Sequence, residues 1–175
     1  EFDLKYGRWL RSLVFEYIYT KYQSGPYNHD HTQNIGDHIA GLDDYYNHSI
    51  YTGWQHWGQV VGNPLYRSPI YNKDGTIEVR NNRFYAFHLG MEGSPTERFD
   101  YRVLTTYQKG WGTYGSPFTK AYKNLSILVE AKYKFNHEWT VRGGYAMDFG
   151  SEKMYGHNAG FQLTVTKSGL LTKKK

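Results

Sequence analysis

The chain has 175 residues, a formal net charge of +5 and no cysteine, which excludes disulfides and thiolate metal sites. No run of about 18 apolar residues marks a transmembrane helix, and the modest charge, without a nucleic-acid-binding motif, argues against a nucleic-acid partner. The excess of tyrosine (18) and glycine (19) favours an all-β protein. A mean hydropathy of -0.75 does not exclude a membrane barrel, because only alternate residues of its strands face lipid.

Six strands are predicted from alternation at period two, which gives each strand two chemically different faces. In chain order they span about Tyr6–Gln23, Val79–Gly93, Phe99–Trp111, Leu125–Phe135, Trp139–Phe149 and Asn158–Lys167. Odd-numbered positions carry most of the apolar side chains, and even-numbered positions are mostly polar, small or charged. A length near ten residues with aromatic side chains at both ends is typical of strands that cross a bilayer with water on their inner side. A soluble β-sandwich is the alternative.

The connections between the predicted strands alternate in length. Residues 24–75 form a long loop between strands one and two, and Ser94–Glu97 and Asn136–Glu138 are tight turns. Gly112–Asn124 and Gly150–Gly156 are loops of intermediate length. Membrane barrels have short periplasmic turns and longer extracellular loops. Residues 1–175 are therefore interpreted as one transmembrane β-barrel segment of the bacterial outer membrane, with residues 24–75 inserted as a long extracellular loop.

Six strands are fewer than the smallest bacterial barrels, which have about eight. An open sheet edge in hydrocarbon leaves unpaired backbone groups, each of which costs several kcal/mol. We therefore expect the missing strands to come from the rest of a longer chain or from other copies. The start at Glu1-Phe2, close to a strand and without an initiator methionine, is read as that of a mature or truncated segment.

The long loop contains most of the residues predicted to bind a ligand. Sugars have flat CH faces that stack on aromatic rings, and their hydroxyls need polar partners. The predicted carbohydrate-binding residues are Asp43, Asp44, Tyr46, Asn47, His48, Trp54 and Trp57. In the alternative interpretation, Trp54 and Trp57 pack the loop into the barrel mouth as a plug.

A metal site or a catalytic Asp–His pair is a weaker hypothesis for the same loop. His29, Asp30, His31, Asp37 and His38 are competent ligands. No helical ligand spacing, nucleophile motif or paired carboxylates accompany them. The chain is therefore predicted to be non-enzymatic and to have no metal or other cofactor. The charges on the inner strand faces are of both signs, which predicts cross-strand ion pairs: Asp100, Arg102, Glu130, Lys132, Lys134, Arg142 and Asp148.

Several motifs together resemble the capsule-assembly Wzi family in its Bacteroidetes branch. They are Tyr19–Pro26, Asp43–His48, Gly53–Gly58, Gly62–Leu65, Asn82–Arg83 and Tyr107–Phe118. The resemblance is to the C-terminal portion of the family, and it implies an outer-membrane barrel of about 18 strands, within the natural range. It also implies a lectin-like role in holding capsular polysaccharide at the cell surface, with no catalytic residues. The sugar-binding surface would then lie on the long loop and on Gly112–Asn124.

The leading hypothesis is a non-catalytic outer-membrane protein that binds or anchors capsular polysaccharide. A porin or substrate-specific channel is the first alternative, and an envelope hydrolase on the same barrel is the second. The predicted partners are capsular polysaccharide, outer-membrane lipid and the missing strands.

Overall fold

The structure is a computed structural model that describes residues 8–22, 46–47 and 54–169, and the backbone alone of residues 2–3, 28–29 and 38–40. Within these ranges the regular elements are β-strands, apart from one turn of 3-10 helix at Pro69–Tyr71. The all-β prediction is therefore confirmed. No helix among the described residues has the length and hydrophobicity needed to cross a bilayer.

Seven strands of the described residues form one antiparallel sheet in the order β1-β2-β7-β8-β9-β10-β11. They are β1 (Phe2–Asp3), β2 (Ser12–Tyr19), β7 (Phe84–Thr96), β8 (Phe99–Gly112), β9 (Pro117–Lys134), β10 (Trp139–Gly150) and β11 (His157–Lys167). Two small hairpins lie between β2 and β7: β3 (Asn28–His29) with β4 (His38–Ala40), and β5 (Gln55–His56) with β6 (Gln59–Val60). We call the six long strands from β2 to β11 the wall.

The predicted strands agree with the wall most closely at β8, β10 and β11. The bounds of the other three strands were wrong. Strand one is shorter than predicted, Ser12–Tyr19, and strand two is shifted to Phe84–Thr96, so that it passes through the predicted turn at Ser94. Most of the predicted loop Gly112–Asn124 is strand, because β9 begins at Pro117. Residues 118–123 lack a regular alternation of apolar and polar side chains, so no period-two pattern marks them as a strand.

Odd-numbered residues share one face of the wall, except where the register shifts near Gly93–Thr96 and Gly110–Gly112. The register aligns Phe15, Leu89, Thr105, Ile127 and Met147 across five adjacent strands. This odd face is apolar, and many of its large side chains are exposed: Phe15, Tyr17, Phe87, Leu89, Val129, Tyr133, Trp139, Tyr145, Phe149, Phe161, Leu163 and Val165. No described element covers it.

The even face of the wall is polar, and its charges pair across strands. Lys132 Nζ lies 2.7 Å from Asp100 Oδ2, and Lys134 Nζ lies 3.6 Å from the same oxygen. Arg102 donates from Nε to Glu130 Oε2 at 2.5 Å. The predicted cross-strand pairing is confirmed for these five residues.

The two ends of the wall differ. At one end, the turn end, short connections join β7 to β8 and β9 to β10. At the other end lie residues 54–83, the tip of the β8–β9 hairpin and the β10–β11 loop. We call residues 54–83 the crown. Apolar core side chains that are buried among the described residues lie at the crown end: Tyr46, Val79, Phe84, Ala86 and Met154.

Candidate functional site

The crown has a small aromatic core where it meets the wall. Phe84, the first residue of β7, is fully buried. Its ring meets that of Tyr66 edge-on at 5.0 Å, and Tyr66 lies 4.3 Å from the ring of Tyr46. Burial raises the pKa of the Tyr46 hydroxyl, because its anion would be poorly solvated there. The crown is thus packed onto the sheet rather than projecting from it.

Buried polar side chains fix the crown to the even face. The Asn81 carboxamide occupies the space above Gly110, where an added Cβ would lie 2.3 Å from its oxygen, and that oxygen accepts a hydrogen bond from Gly112 N at 3.2 Å. Gln108 donates to the Leu65 carbonyl at 2.9 Å. The half-buried Thr20 hydroxyl donates to the Asn82 carbonyl at 2.8 Å. Each contact joins residues far apart in sequence, so the crown has a defined position over this end of the wall.

The β5–β6 hairpin displays a tryptophan at its tip. Trp57 and Gly58 are its two loop residues, and both have positive φ, at 52° and 72°. A two-residue loop with positive φ at both positions is the type I′ turn, which favours Asn-Gly. A tryptophan at the first position strains the backbone, yet its side chain is 87% exposed and packs little against the protein. Strain of this kind without compensating burial points to a functional role for the indole.

Hydrogen bonds from neighbouring segments fix the β5–β6 hairpin, and with it the backbone that carries the Trp57 indole. Ile70 N, in the 3-10 helix, donates to the Gly58 carbonyl at 2.9 Å. Val60 N donates to Ser68 Oγ at 3.1 Å, and Gln55 Nε2 donates to the Tyr46 carbonyl at 2.9 Å. These hydrogen bonds connect both strands of the hairpin to the crown core.

The predicted sugar-binding residues fall into three groups. Trp54 and Trp57 are exposed among the described residues, at 61% and 87%, and their packing as a plug in the mouth of a complete barrel stays a prediction. Tyr46 is in the aromatic core, and Asn47 bridges the backbone of Val79, accepting from its N at 2.7 Å and donating to its O at 2.8 Å. Asp43, Asp44 and His48 lie outside the described residues.

The residues of the predicted metal or catalytic cluster also lie outside the part of the chain whose side chains are described. They are His29, Asp30, His31, Asp37 and His38. The hypotheses of a metal ion or an Asp–His pair in this segment therefore stay predictions.

Two clefts separate the crown from the neighbouring loops. The first, of about 520 Å³, lies between the crown, the start of β9 and the β10–β11 loop. It is lined by Arg67, Asn72, Lys73, Glu78, Arg80, Ser116, Pro117, Phe118, Thr119, Tyr122, Glu152 and Lys153. The second, of about 820 Å³, runs from β6 to the start of β11. Arg67, Lys73 and Glu152 line both clefts, so the two adjoin.

A hydrogen-bond network centred on Asn72 shapes the crown side of the first cleft. The buried Asn72 carboxamide donates to the carbonyls of Thr76 and Glu78, at 3.0 and 2.8 Å, and accepts from Arg67 Nη1 at 2.9 Å. On the far side of the second cleft, Tyr155 donates to the Pro64 carbonyl at 3.0 Å, and burial raises its pKa. The cleft walls are therefore held by side chains that bond to backbone carbonyls.

The resemblance pointed to the two segments that supply much of the first cleft, the long loop and Gly112–Asn124, but sequence reasoning did not single out Arg67 or Lys153. Arg67 and Lys153 come from segments more than eighty positions apart, and neither lies in a motif with a recognisable spacing. Phe118 and Tyr122 were assigned to a loop. A possible signal was the aromatic and lysine content of Phe118–Lys123, which has no apolar face to bury.

Comparisons of the chain with protein-family models, with curated proteins and with solved structures found no match. The resemblance to the capsule-assembly family therefore stays a prediction based on the motifs named above.

Proposed function

We propose that the chain is part of an outer-membrane β-barrel whose crown binds polysaccharide at the cell surface without catalysis. The observation that carries the membrane part is the odd face of the wall. A predominantly apolar face across six strands, with large side chains exposed, is unusual for a surface in water. In a barrel the same face would contact lipid, and the polar even face would line the interior.

The dimensions of β10 support this orientation. Trp139 and Phe149, at its two ends, are both on the odd face and both exposed. They lie ten positions apart, about 33 Å along a strand. At a tilt of about 40° this spans about 25 Å, which is the height of the apolar band of outer-membrane barrels with aromatic residues at its borders.

The free edges of the sheet call for further strands. Among the described strands, β11 pairs only with β10, and β2 pairs with β1 through two residues alone. Backbone groups on an open edge have no partners in hydrocarbon. We therefore propose that strands from a longer chain or from other copies complete the barrel.

The crown supplies the polysaccharide part of the proposal. An exposed indole on a strained but well-anchored turn suits stacking against the apolar face of a sugar ring, and Trp54 adds a second exposed indole beside the same hairpin. The clefts next to the hairpin have polar walls that suit hydroxyl recognition. The alternative of a channel draws support from the charged even face.

The tryptophan hairpin gives a direct test. Trp57→Asn removes the indole but supplies a residue that the type I′ turn favours, so the hairpin is retained. Combined with Trp54→Ala, it should weaken the binding of purified surface polysaccharide by about tenfold, from the loss of two stacking contacts. Binding is measured on the full-length protein in uncharged detergent.

Trp9→Ala is the matched control, because Trp9 is also an exposed tryptophan but lies at the turn end. It should leave polysaccharide binding unchanged. Unaltered binding in the double variant would remove the hairpin from the proposal. Clear conductance steps in planar bilayers, together with no polysaccharide binding by the parent protein, would favour the channel.

A further inference from the structure

The first cleft contains a cation that forms no ion pair with an acidic side chain of the described residues. Arg67 is half-buried, and its guanidinium bonds only to neutral acceptors, Asn72 Oδ1 at 2.9 Å and the Tyr71 carbonyl at 2.5 Å. None of the ion pairs formed by described residues includes Arg67. Burial lowers its pKa, but an arginine stays charged in proteins. A partly desolvated charge of this kind is stabilised by an anion.

Lys153 brings a second unpaired cation to the same cleft. It lies in the β10–β11 loop, is exposed, and forms no ion pair among the described residues. The other two cations of the cleft are engaged: Arg80 by Asp74, and Lys73 by Glu152 at 3.3 Å. The Lys73–Glu152 pair is almost fully exposed, so it is weak. The lining also includes the carboxylate of Glu78, so four cationic and two acidic side chains line the cleft, which leaves an excess of positive charge.

The wall of the cleft formed by β9 is aromatic. Phe118 and Tyr122 meet edge to face at 5.2 Å, and Lys120 Nζ lies 5.9 Å from the centre of the Tyr122 ring. β9 pairs with β10 only as far as Asn124, so this part of the strand has a free edge toward the β10–β11 loop. Rings next to unpaired cations suit a sugar that carries an acidic group, because the ring binds its CH face while the cations bind the anion.

We infer that the first cleft, centred on Arg67 and Lys153, binds the anionic groups of an acidic polysaccharide, carboxylate or sulfate, with Phe118 and Tyr122 as the sugar platform. The second cleft adjoins at Arg67 and extends to the β5–β6 hairpin, so several sugar units of one chain would pass from the platform toward Trp57. This inference rests on the proposed function and specifies its ligand class.

The test compares acidic with neutral polymers on the full-length protein in uncharged detergent. The probes are oligogalacturonate as the carboxylated polymer, dextran sulfate as the sulfated polymer and dextran as the neutral polymer. The parent protein should prefer at least one acidic polymer to dextran. Arg67→Gln with Lys153→Gln should weaken binding of the preferred acidic polymer about tenfold, as expected for the loss of charge-assisted hydrogen bonds.

The matched control changes the same charge at the opposite end of the wall. Arg8→Gln with Arg98→Gln should leave the affinity unchanged, because both arginines lie at the turn end. An equal loss in the two double variants would show attraction by net charge alone and overturn the inference. No loss in the cleft variant, or no preference for acidic polymers, would also overturn it.

A single substitution keeps the test independent of folding. Lys153→Glu alters an exposed loop residue and leaves every hydrogen bond of Arg67 in place, so it should weaken acidic-polymer binding at least as much as Lys153→Gln does. Failure of the proposed function has a different signature. Acidic-polymer binding that depends on Arg67, without any effect of Trp57→Asn on surface-polysaccharide binding, would support the cleft and reject the hairpin.

Discussion

The wall and the crown are stabilised by different kinds of contact. Side chains of the wall are largely exposed on the odd face and ion-paired on the even face, and its strands are held mainly by backbone pairing between neighbours. The crown has little regular structure, but it has a buried aromatic core and buried carboxamides. No described element packs on the apolar face of the wall, whereas the crown buries apolar side chains of its own.

This difference bears on where binding takes place. In the proposed barrel the odd face of the wall contacts lipid and is not available to a soluble ligand, and several charges of the even face are paired across strands. The crown, in contrast, has exposed indoles and, in Arg67, a guanidinium outside the ion pairs of the described residues, on a backbone fixed by long-range hydrogen bonds. Variable binding residues on a rigid scaffold are a general arrangement for recognition.

The largest expected effect is in the core of the crown. Phe84→Ala removes a fully buried ring that contacts Tyr66, and such a change costs about 3–5 kcal/mol. Because the wall is held by backbone pairing, we expect the crown to loosen while the strands persist. Hydrogen exchange should accelerate in residues 54–83 and stay slow in β8 to β10.

Phe84→Leu is the matched control, since it keeps an apolar side chain and should cost less than about 1.5 kcal/mol. Equal acceleration of exchange in the crown and in the strands after Phe84→Ala would show that the two regions unfold as one unit. The crown and the wall would then not be stabilised independently.

The next effect concerns the odd face of the wall. Phe161 is 79% exposed, so in water its replacement by arginine would change stability little. In a bilayer, Phe161→Arg near the middle of the apolar band should cost about 2–4 kcal/mol. Gln162→Arg, one position along and on the even face, should cost much less. The free energy of unfolding by urea from phospholipid vesicles separates the two variants.

Equal costs for Phe161→Arg and Gln162→Arg would mean that the two faces of β11 have the same surroundings. The lipid-facing assignment of the odd face would then be lost, and the outer-membrane part of the proposal with it.

The wall was easier to predict from the sequence than the crown, because its contacts follow a local pattern and those of the crown do not. In the wall, the face of a residue is decided by its parity, so β10 was predicted to within one residue, Trp139–Phe149 against Trp139–Gly150. The part of β9 that precedes Asn124 lacks this alternation, and it was therefore not predicted as strand. In the crown, Asn81 and Gln108 act through partners thirty or more positions away, and no local pattern encodes such contacts. Arg67 was missed for the same reason.

The smallest expected effect concerns the pKa of Asp74, which lies in a turn of the crown that is held by local contacts. Asp74 Oδ1 accepts from Thr76 N at 3.2 Å and from its hydroxyl at 3.0 Å, and its second oxygen pairs with Arg80. The Arg80 guanidinium, with the two Thr76 donors, lowers the pKa of Asp74 from 3.8 to about 2. A folded-state pKa below the unfolded value stabilises the turn above about pH 4. That contribution is lost as the pH falls through about 2.

NMR titration of the Asp74 carboxyl carbon should therefore give a midpoint near 2. Arg80→Gln should move the midpoint toward 3.8, because the largest cause of the shift is removed, whereas Arg98→Gln at the turn end should leave it unchanged. Because all partners of Asp74 lie within six positions, the low midpoint should persist in Phe84→Ala, even though the crown core is lost. A midpoint that returns to 3.8 in Phe84→Ala would mean that the turn depends on the packed crown, and that local and long-range contacts in this region are not separable.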